Sequence, residues 1–462
     1  MLKISTTPSA ASRKLTVLPL VAATYFMVSG GPYGLEELVQ NSGYKIGLAI
    51  LILTPLIWGM PTGLLVGELS AAIPADGGFY VWVRRAMGPF WGFQEAWLSL
   101  AASLFDLAAY PVAFVLSLGK IWPVAVQGHN GVMISAALIV VCVLWNLFGA
   151  RAVGEGSVLM GVLLLSPFAA IMAFALFRHG SLSAATATNG VHGSWLTGVM
   201  VAMWNYMGWD NASTVAGEVE NPQRTYPRVM LYAMAAIILS YALPVLAVWH
   251  THIQPGYWTA GSWASIASLL GGPWLGIALV TAGMISTFGI VNSLTMSYSR
   301  LPMAMAEDGY APKFFLKRLR NGAPWVSIVT CGVAWIVVLA TLELNGLNLD
   351  RLLMLDILLY GASLILEFVA LVLLRIREPQ LHRPFKIPGG PIAAALMGVG
   401  PTAMLTVAFI KNRDEHLGSI SSLALGAILM GVGVILYLVT TWVRRPAALA
   451  VGTDAKATTS AK

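Results

Sequence analysis

Charge is what this sequence has least of. Asp, Glu, Lys and Arg make up 10% of its 462 residues, against roughly a quarter in soluble domains. With 57% hydrophobic residues beside them, the solvent this chain is built for is the bilayer. Cysteine is almost absent. Cys142 and Cys331 lie in separate apolar stretches and no CxxC or Cys/His spacing occurs, which argues against a metal site or a disulfide framework and leaves two small buried hydrophobes. The seven histidines are scattered, mostly in loops such as His250 and His252. No nucleophile–base pair or metal-ligand set stands at usable spacing, so neither an enzyme nor a bound cofactor is expected.

Long apolar runs are abundant. Twelve stretches are long enough to span a membrane at about 20 residues each: 16–40, 46–72, 90–118, 131–149, 156–178, 194–219, 227–249, 273–300, 325–343, 351–375, 391–411 and 418–443. The expected fold is an all-α membrane protein with twelve transmembrane helices. With the N-terminus inside, 21 of the 27 Lys and Arg fall on the cytoplasmic side and six on the other, a positive-inside bias that places both termini in the cytoplasm. The net charge of +7 then describes loops facing anionic lipid, and no nucleic-acid partner is implied. The N-tail, 1–15, has no small-residue cleavage site after an apolar stretch, so no removed signal peptide is expected. The Ala/Thr/Lys-rich C-tail, 444–462, is expected to be disordered.

The first five segments (16–178) and the next five (194–375) form two units. An odd number of helices per unit makes the second run opposite to the first, the inverted-repeat arrangement. The last two segments (391–443), which follow the loop Arg383-Pro384-Phe385-Lys386-Ile387-Pro388-Gly389-Gly390, are an addition. Residues 76–89 are too polar to span and are predicted to lie along the cytoplasmic face.

Glycine interrupts two of the runs at matching places: Ser29-Gly30-Gly31-Pro32-Tyr33-Gly34 in the first and Met207-Gly208-Trp209-Asp210-Asn211 in the sixth. A helix unwinds inside a membrane only where protein or a watery cavity takes up the freed backbone groups, and such a pair of breaks is the best sequence pointer to a carrier's substrate site. Gly30, Gly31 and Gly208 are the candidate hinges. After the first break, Pro32 is placed to restart a helix whose N–H groups suit an anion, but Glu36 and Glu37 in its first turns oppose one. The second break has a carboxylate, Asp210, among Trp204, Tyr206 and Trp209, a set that suits an organic ammonium.

An ionisable group at mid-bilayer costs at least ~2.5 kcal/mol on insertion scales and asks for a function. Three carboxylates lie near or inside the membrane core: Asp106, Asp210 and Glu367. No Lys or Arg lies in the middle of any span, so this acidic interior has no built-in counter-ion. Ser99, Ser103, Asp106 and Tyr110 recur at steps of 4, 3 and 4 in the third segment, as do Asp356, Tyr360, Ser363 and Glu367 in the tenth. Each set makes one polar face on an apolar helix, turned to a cavity or to hydrogen bonds with a neighbouring helix.

At these residues the chain resembles the amino acid/polyamine/organocation transporters. Tyr206-Met207-Gly208-Trp209-Asp210-Asn211 followed by Ala216-Gly217-Glu218-Val219-Glu220-Asn221-Pro222-Gln223-Arg224 is similar to that family's sixth helix and following loop. Ser299-Arg300 through Ala304-Met305-Ala306-Glu307-Asp308-Gly309 is similar to its eighth-helix exit. The polyamine-uptake branch is resembled in Val28-Ser29-Gly30-Gly31-Pro32-Tyr33-Gly34, Gly88-Pro89-Phe90-Trp91-Gly92, Asp106 with Tyr110-Pro111-Val112, and Ile365-Leu366-Glu367-Phe368 leading to Arg383-Pro384-Phe385-Lys386-Ile387-Pro388. The resemblance implies a LeuT-like five-plus-five inverted repeat with two peripheral helices. It also implies a central substrate site on the first and sixth helices (Ser29, Gly30, Gly31, Tyr33, Trp204, Tyr206, Gly208, Trp209, Asp210), completed by Asp106, Tyr110 and Glu367.

The function expected is secondary active import of a cationic organic solute, a polyamine of the putrescine/spermidine class first, across the plasma (inner) membrane. Asp210 and Asp106 are the expected counter-ions, with Glu367 a second ammonium partner or the proton carrier. A neutral or general amino-acid permease of the same fold is the alternative, and a non-transporting nutrient sensor a weaker one. No obligate protein partner is evident. Residues 156–177 lack the lysine that stands in for sodium in some proton-coupled relatives. Ser286 and Thr287 offer hydroxyls to Na⁺, although helix hydroxyls usually bond their own backbone. The coupling ion, H⁺ or Na⁺, stays open.

Overall fold

A computed structural model describes residues 14–177, 193–344, 349–411, 416–417 and 420–457. The N-tail over 1–13 and the end of the C-tail over 458–462 lie outside the described residues. The described chain is helical apart from β1 (His416–Leu417) and β2 (Ile420–Ser421), a minimal antiparallel pair.

Among the described residues, nine helices are long and apolar enough to cross a membrane. They cover the second, third, fifth and seventh to twelfth segments. The three expected segments outside that set are short for a stated reason. The fourth is α6 (Asn130–Asn146), and the first and sixth are the broken ones, reduced to α1 (Val17–Val28) and α8 (Trp195–Asn205). After α1 the chain runs non-helically from 29 to 35 and resumes as α2 (Glu36–Thr54). The renewed helix thus starts at Glu36 and not at Pro32. Gly43, with φ 68° and ψ 174°, divides α2 into the remainder of the first segment and the beginning of the second. A π-helical turn, Pro55–Gly59, then leads into α3 (Met60–Ala72).

The polar stretch 76–89 contains α4 (Phe79–Met87), which buries Phe79, Tyr80, Trp82, Val83 and Ala86. Beyond it run α5 (Pro89–Gly119), α7 (Ala150–Phe177), α9 (Pro222–His250), the short α10 (Trp263–Gly271), α11 (Pro273–Tyr298), α12 (Leu301–Glu307), α13 (Trp325–Leu344) and α14 (Leu349–Arg377). The sequence carried no transmembrane-length signal for α10, a nine-residue helix anchored by the buried Trp263.

The centre is built from α1, the broken sixth segment, α5, α11 and α14, which pack on one another. The last two helices, α15 (Gly390–Lys411) and α16 (Ser422–Ala457), pack on α14 and α5. They turn Ile392, Leu396, Leu438 and Trp442 outward, as lipid permits at no hydrophobic cost. One expectation is corrected here. The tail was to be disordered from 444, yet α16 continues to Ala457, because Ala and Leu from 447 to 450 extend a helix already nucleated in the span.

Candidate functional site

The two breaks meet each other. A Cβ on Gly208 would stand 2.5 Å from the Met27 carbonyl at the end of α1, and Gly208 holds φ 93°, ψ 14°, a left-handed conformation that only glycine adopts at no steric cost. Past it the chain forms a 3₁₀ turn, Trp209–Thr214. Its freed groups are taken up by neighbours. The Gly208 amide donates to the Tyr360 hydroxyl at 3.0 Å, Ser297 Oγ donates to Asn211 Oδ1 at 2.7 Å, and the Tyr226 hydroxyl donates to the Ala212 carbonyl at 2.7 Å.

The first break is satisfied in the same way. Ser286 Oγ on α11 donates to the Gly30 carbonyl, Trp263 Nε1 donates to the Pro32 carbonyl at 2.8 Å, and the Tyr33 hydroxyl donates to the Leu279 carbonyl at 2.5 Å. Two of its amides are already engaged: that of Gly31 by Ser29 Oγ at 3.0 Å and that of Gly34 by Glu36 Oε2 at 2.7 Å. The buried Glu36 therefore occupies part of the place where an anion would sit.

The acids converge. The Tyr360 hydroxyl, which accepts from Gly208, donates to Asp210 Oδ1 at 2.7 Å. The Tyr298 hydroxyl donates to Asp106 Oδ2 at 3.2 Å, and Asp106 shares a side-chain hydrogen bond with Asp356. The polar faces of α5 and α14 lie against each other in opposite senses, with Asp106 beside Asp356 at one level and Ser99 Oγ 3.1 Å from Ser363 Oγ at the next. Beyond that, Ser363 Oγ donates to Glu95 Oε1, at the level of Glu367. Both stripes were legible as stripes. Glu95 was missed, although it stands four residues before Ser99 and extends the same face by one turn.

The aromatic residues divide. Tyr110 and Trp204 are half-buried and stack, centroids 6.0 Å apart and planes 17° apart, one turn of α5 beyond Asp106. Trp209 and Tyr206, expected around Asp210, are spent on packing. The Trp209 indole is fully buried against Gly59, Gly63 and Met234, and the Tyr206 hydroxyl donates to the Leu51 carbonyl at 2.8 Å. Of the hydroxyls considered for a sodium ion, Ser286 is committed to Gly30 and Thr287 donates to carbonyls of its own helix, Gly283 and Met284.

The acidic interior does have a counter-ion at one edge, which corrects the expectation of none. Glu68 on α3 is fully buried and receives Arg375 as a fork, Nε to Oε1 at 3.0 Å and Nη2 to Oε2. Arg383 Nε stands 3.3 Å from Oε1 and the Ile387 amide donates to Oε2 at 2.8 Å. The Arg383-Pro384-Phe385-Lys386-Ile387-Pro388 loop is thereby tied to α3. No Lys or Arg reaches Asp106, Asp210, Asp356, Glu95 or Glu367 in any described ion pair.

A second polar network closes the end where basic residues gather. The Gly217 amide donates to Asp76 Oδ1 at 3.0 Å, Arg318 pairs with Asp76 at 3.4 Å and Glu307 at 2.8 Å, and the buried Arg300 pairs with Glu218 at 2.9 Å. Leu15, assigned to the tail from sequence, is clasped here: its amide donates to the Glu218 carbonyl at 2.9 Å and its carbonyl accepts from Glu220 at 2.8 Å.

Comparison with known proteins agrees with this architecture. The sequence matches the amino acid permease family over residues 21–435. It is 34% identical to the polyamine transporter RMV1 of Arabidopsis thaliana over 423 residues, 90% of this chain and 84% of that one. It is 33% identical to the polyamine transporter PUT1 of Oryza sativa subsp. japonica, covering 92% and 78%. Among solved structures, MhsT in complex with L-phenylalanine superposes with a TM-score of 0.61 at 14% identity, covering 87% of this chain and 99% of that one; at that identity the likeness speaks for the fold alone, which is LeuT-like. The chain belongs to the amino acid permease family and is a multi-pass membrane transporter.

Proposed function

We propose that this transporter imports polyamines of the putrescine/spermidine class across the plasma (inner) membrane by alternating access, its termini on the cytoplasmic side. The observation that carries the reading is the carboxyl set Asp210, Asp106 and Asp356 at the meeting of the two breaks, with no protein cation paired to it. A dry site with excess acid and no counter-ion favours a solute that brings its own positive charge. Asp210 and Asp106 are the ammonium partners in this reading, and the half-buried Tyr110–Trp204 stack offers π-faces to the same cation. A polyamine carries spaced ammonium groups and no carboxylate, so it can use more than one acid at once. The relatives named as polyamine transporters support it.

A second reading, a neutral or general amino-acid permease, is favoured by the family assignment. It needs a receptor for a carboxylate at the first break, where Ser29 and Glu36 already take the Gly31 and Gly34 amides. Uptake of labelled putrescine into proteoliposomes, competed with unlabelled solutes, separates the two. Spermidine is expected to compete at least roughly 100-fold better than alanine, leucine or glutamate, about two factors of ten at 1.4 kcal/mol each. Full competition by neutral amino acids, with no effect of either polyamine, would sink the polyamine reading and leave the second standing.

A further inference from the structure

Glu95 and Glu367 form a second acidic pair whose chemistry the substrate site does not use. Both are fully buried in the seam between α5 and α14. Ser363 Oγ donates to Glu95 Oε1 and lies 3.1 Å from Ser99 Oγ. Glu95 Oε2 and both oxygens of Glu367 have no hydrogen-bond partner among the described residues.

The groups facing this pair are acids or are already matched. Asp210 from the broken sixth segment is the nearest further charge. Tyr360 on α14 is engaged with Asp210, and Tyr298 on α11 with Asp106, itself joined to Asp356. Arg375, two turns beyond Glu367 on α14, is forked onto Glu68 of α3 together with Arg383. On α4, Arg84 pairs with Asp308 and Arg85 with Glu378, and Tyr80 donates to Asp308. On α12, Glu307 pairs with Arg318. The flanking α15 and α16 carry no charged residue over 390–410 or 422–443, nor does α13 over 325–341 or α6 over 130–146.

An ionised carboxylate with no partner is not kept in a dry helix seam; a proton or another cation has to neutralise it. The seam decides which. The Ser99 and Ser363 hydroxyls close it at 3.1 Å between this pair and the acids at the break, so an ammonium on a carbon chain could enter only by parting two packed helices. A proton needs no such opening. Sodium lacks the oxygens it was expected to use, because Ser286 and the Gly30 carbonyl are bonded to each other and Thr287 to its own helix.

We propose that Glu95 and Glu367, bridged by Ser363, are the proton-coupling site of this transporter. The pair takes one proton from water on the outer side, forming a single O–H bond, and returns that proton to water on the inner side when the α5–α14 seam opens there. No other bond is made or broken. The proposal rests on the transporter reading but not on which solute is carried.

The test uses the full chain in proteoliposomes, with labelled putrescine and labelled L-serine in parallel, and compares wild type with Glu95→Gln and Glu367→Gln. Glutamine keeps the shape and hydrogen-bonding capacity but carries no titrating proton. For one proton per cycle, a gradient of about one pH unit sustains up to roughly tenfold accumulation. Wild type is expected to show it and to lose it on adding a protonophore. Each variant is expected to lose the accumulation while retaining counterflow exchange within about threefold and unfolding at the wild-type temperature. Gradient-driven accumulation surviving in both variants overturns the proposal. So does loss of counterflow and of solute binding as deep as in Asp210→Asn, which would make the pair an ammonium site. Wild type that accumulates serine but not putrescine fails the polyamine reading alone, and the coupling test is then read with serine. Wild type that accumulates neither under the gradient overturns the proton site.

Discussion

The Tyr360 hydroxyl donates to Asp210 at 2.7 Å while accepting the Gly208 amide at 3.0 Å, so one side chain of α14 holds both the hinge and the acid of the broken sixth segment. The tenth helix therefore senses the charge on Asp210 directly. A cation arriving at Asp210 competes for the oxygen that Tyr360 holds, and whatever moves Tyr360 also moves the backbone at Gly208. Binding and unwinding are joined at a single hydroxyl.

Asp210→Asn keeps an oxygen for the Tyr360 hydroxyl, so the protein is expected to fold and insert. The variant loses the charge-assisted contact to an ammonium, worth about 1.5–3 kcal/mol. Putrescine affinity should fall between about tenfold and 150-fold. Thermal-shift titration and uptake in proteoliposomes measure it, and wild-type affinity would rule out the counter-ion role.

Gly208→Val places a branched side chain at φ 93° against the Met27 carbonyl, 2.5 Å from the new Cβ. Left-handed strain and backbone overlap together cost about 2–5 kcal/mol. The variant should reach the membrane, unfold at lower temperature and transport nothing measurable. Gly31, at φ 82° with Leu164 at 3.3 Å, should respond in the same direction and less severely, because a leucine methyl yields more readily than backbone. Uptake close to wild type in Gly208→Val would mean that the two breaks do not meet as described.

Glu68→Ala leaves Arg375 and Arg383 buried without their shared carboxylate and frees the Ile387 amide. Breaking a buried pair from one side costs about 3–5 kcal/mol. A marked drop in unfolding temperature and in detergent-extracted yield is expected. Asp210→Asn, which leaves its hydrogen bonds in place, should lower neither. Equal stability of the two variants would contradict this assignment.

Asp76 lies outside the membrane segments, and burial, followed by the nearby Glu218, pushes its carboxyl up to about 6 from an ordinary 3.8, with Arg318 and Arg300 pulling the other way. Between those values the folded protein keeps a proton that the unfolded chain has lost. The Asp76 contribution to stability is thus fully present below about pH 4 and is lost as pH rises through about 6. Asp76→Asn, which cannot ionise, should remove that component, so its stability relative to wild type should grow on going from about pH 4.5 to 7. Thermal unfolding across this range checks it; a constant difference between the two proteins would show that Asp76 titrates at its ordinary value.

Much of the site was legible because helix periodicity is local. The steps of 4, 3 and 4 that align Ser99, Ser103, Asp106 and Tyr110, and again Asp356, Tyr360, Ser363 and Glu367, need no partner helix to be seen. Aromatic direction was not legible at the break. Once the chain leaves the α-helix at Tyr206, no period assigns Trp209 to the cavity or to the packing, and only the glycine notch of Gly59 and Gly63 settled it. Glu95 escaped for a different reason: near the beginning of its helix, it read as an end-of-helix charge until α14 was laid against it.

The sequence by itself determined the bilayer as solvent, through the scarcity of charge. It also determined where the two helices must unwind, through glycine, and that acids line two helix faces. Tertiary structure decided which acids are paired with cations and which are not. Glu68 meets Arg375 across 307 residues, and Glu95 meets Ser363 across 268. Those meetings depend on the antiparallel register of α5 on α14 and the fold of the 383–388 loop onto α3. Register is set by the summed packing of whole helix surfaces, and no local pattern carries that sum.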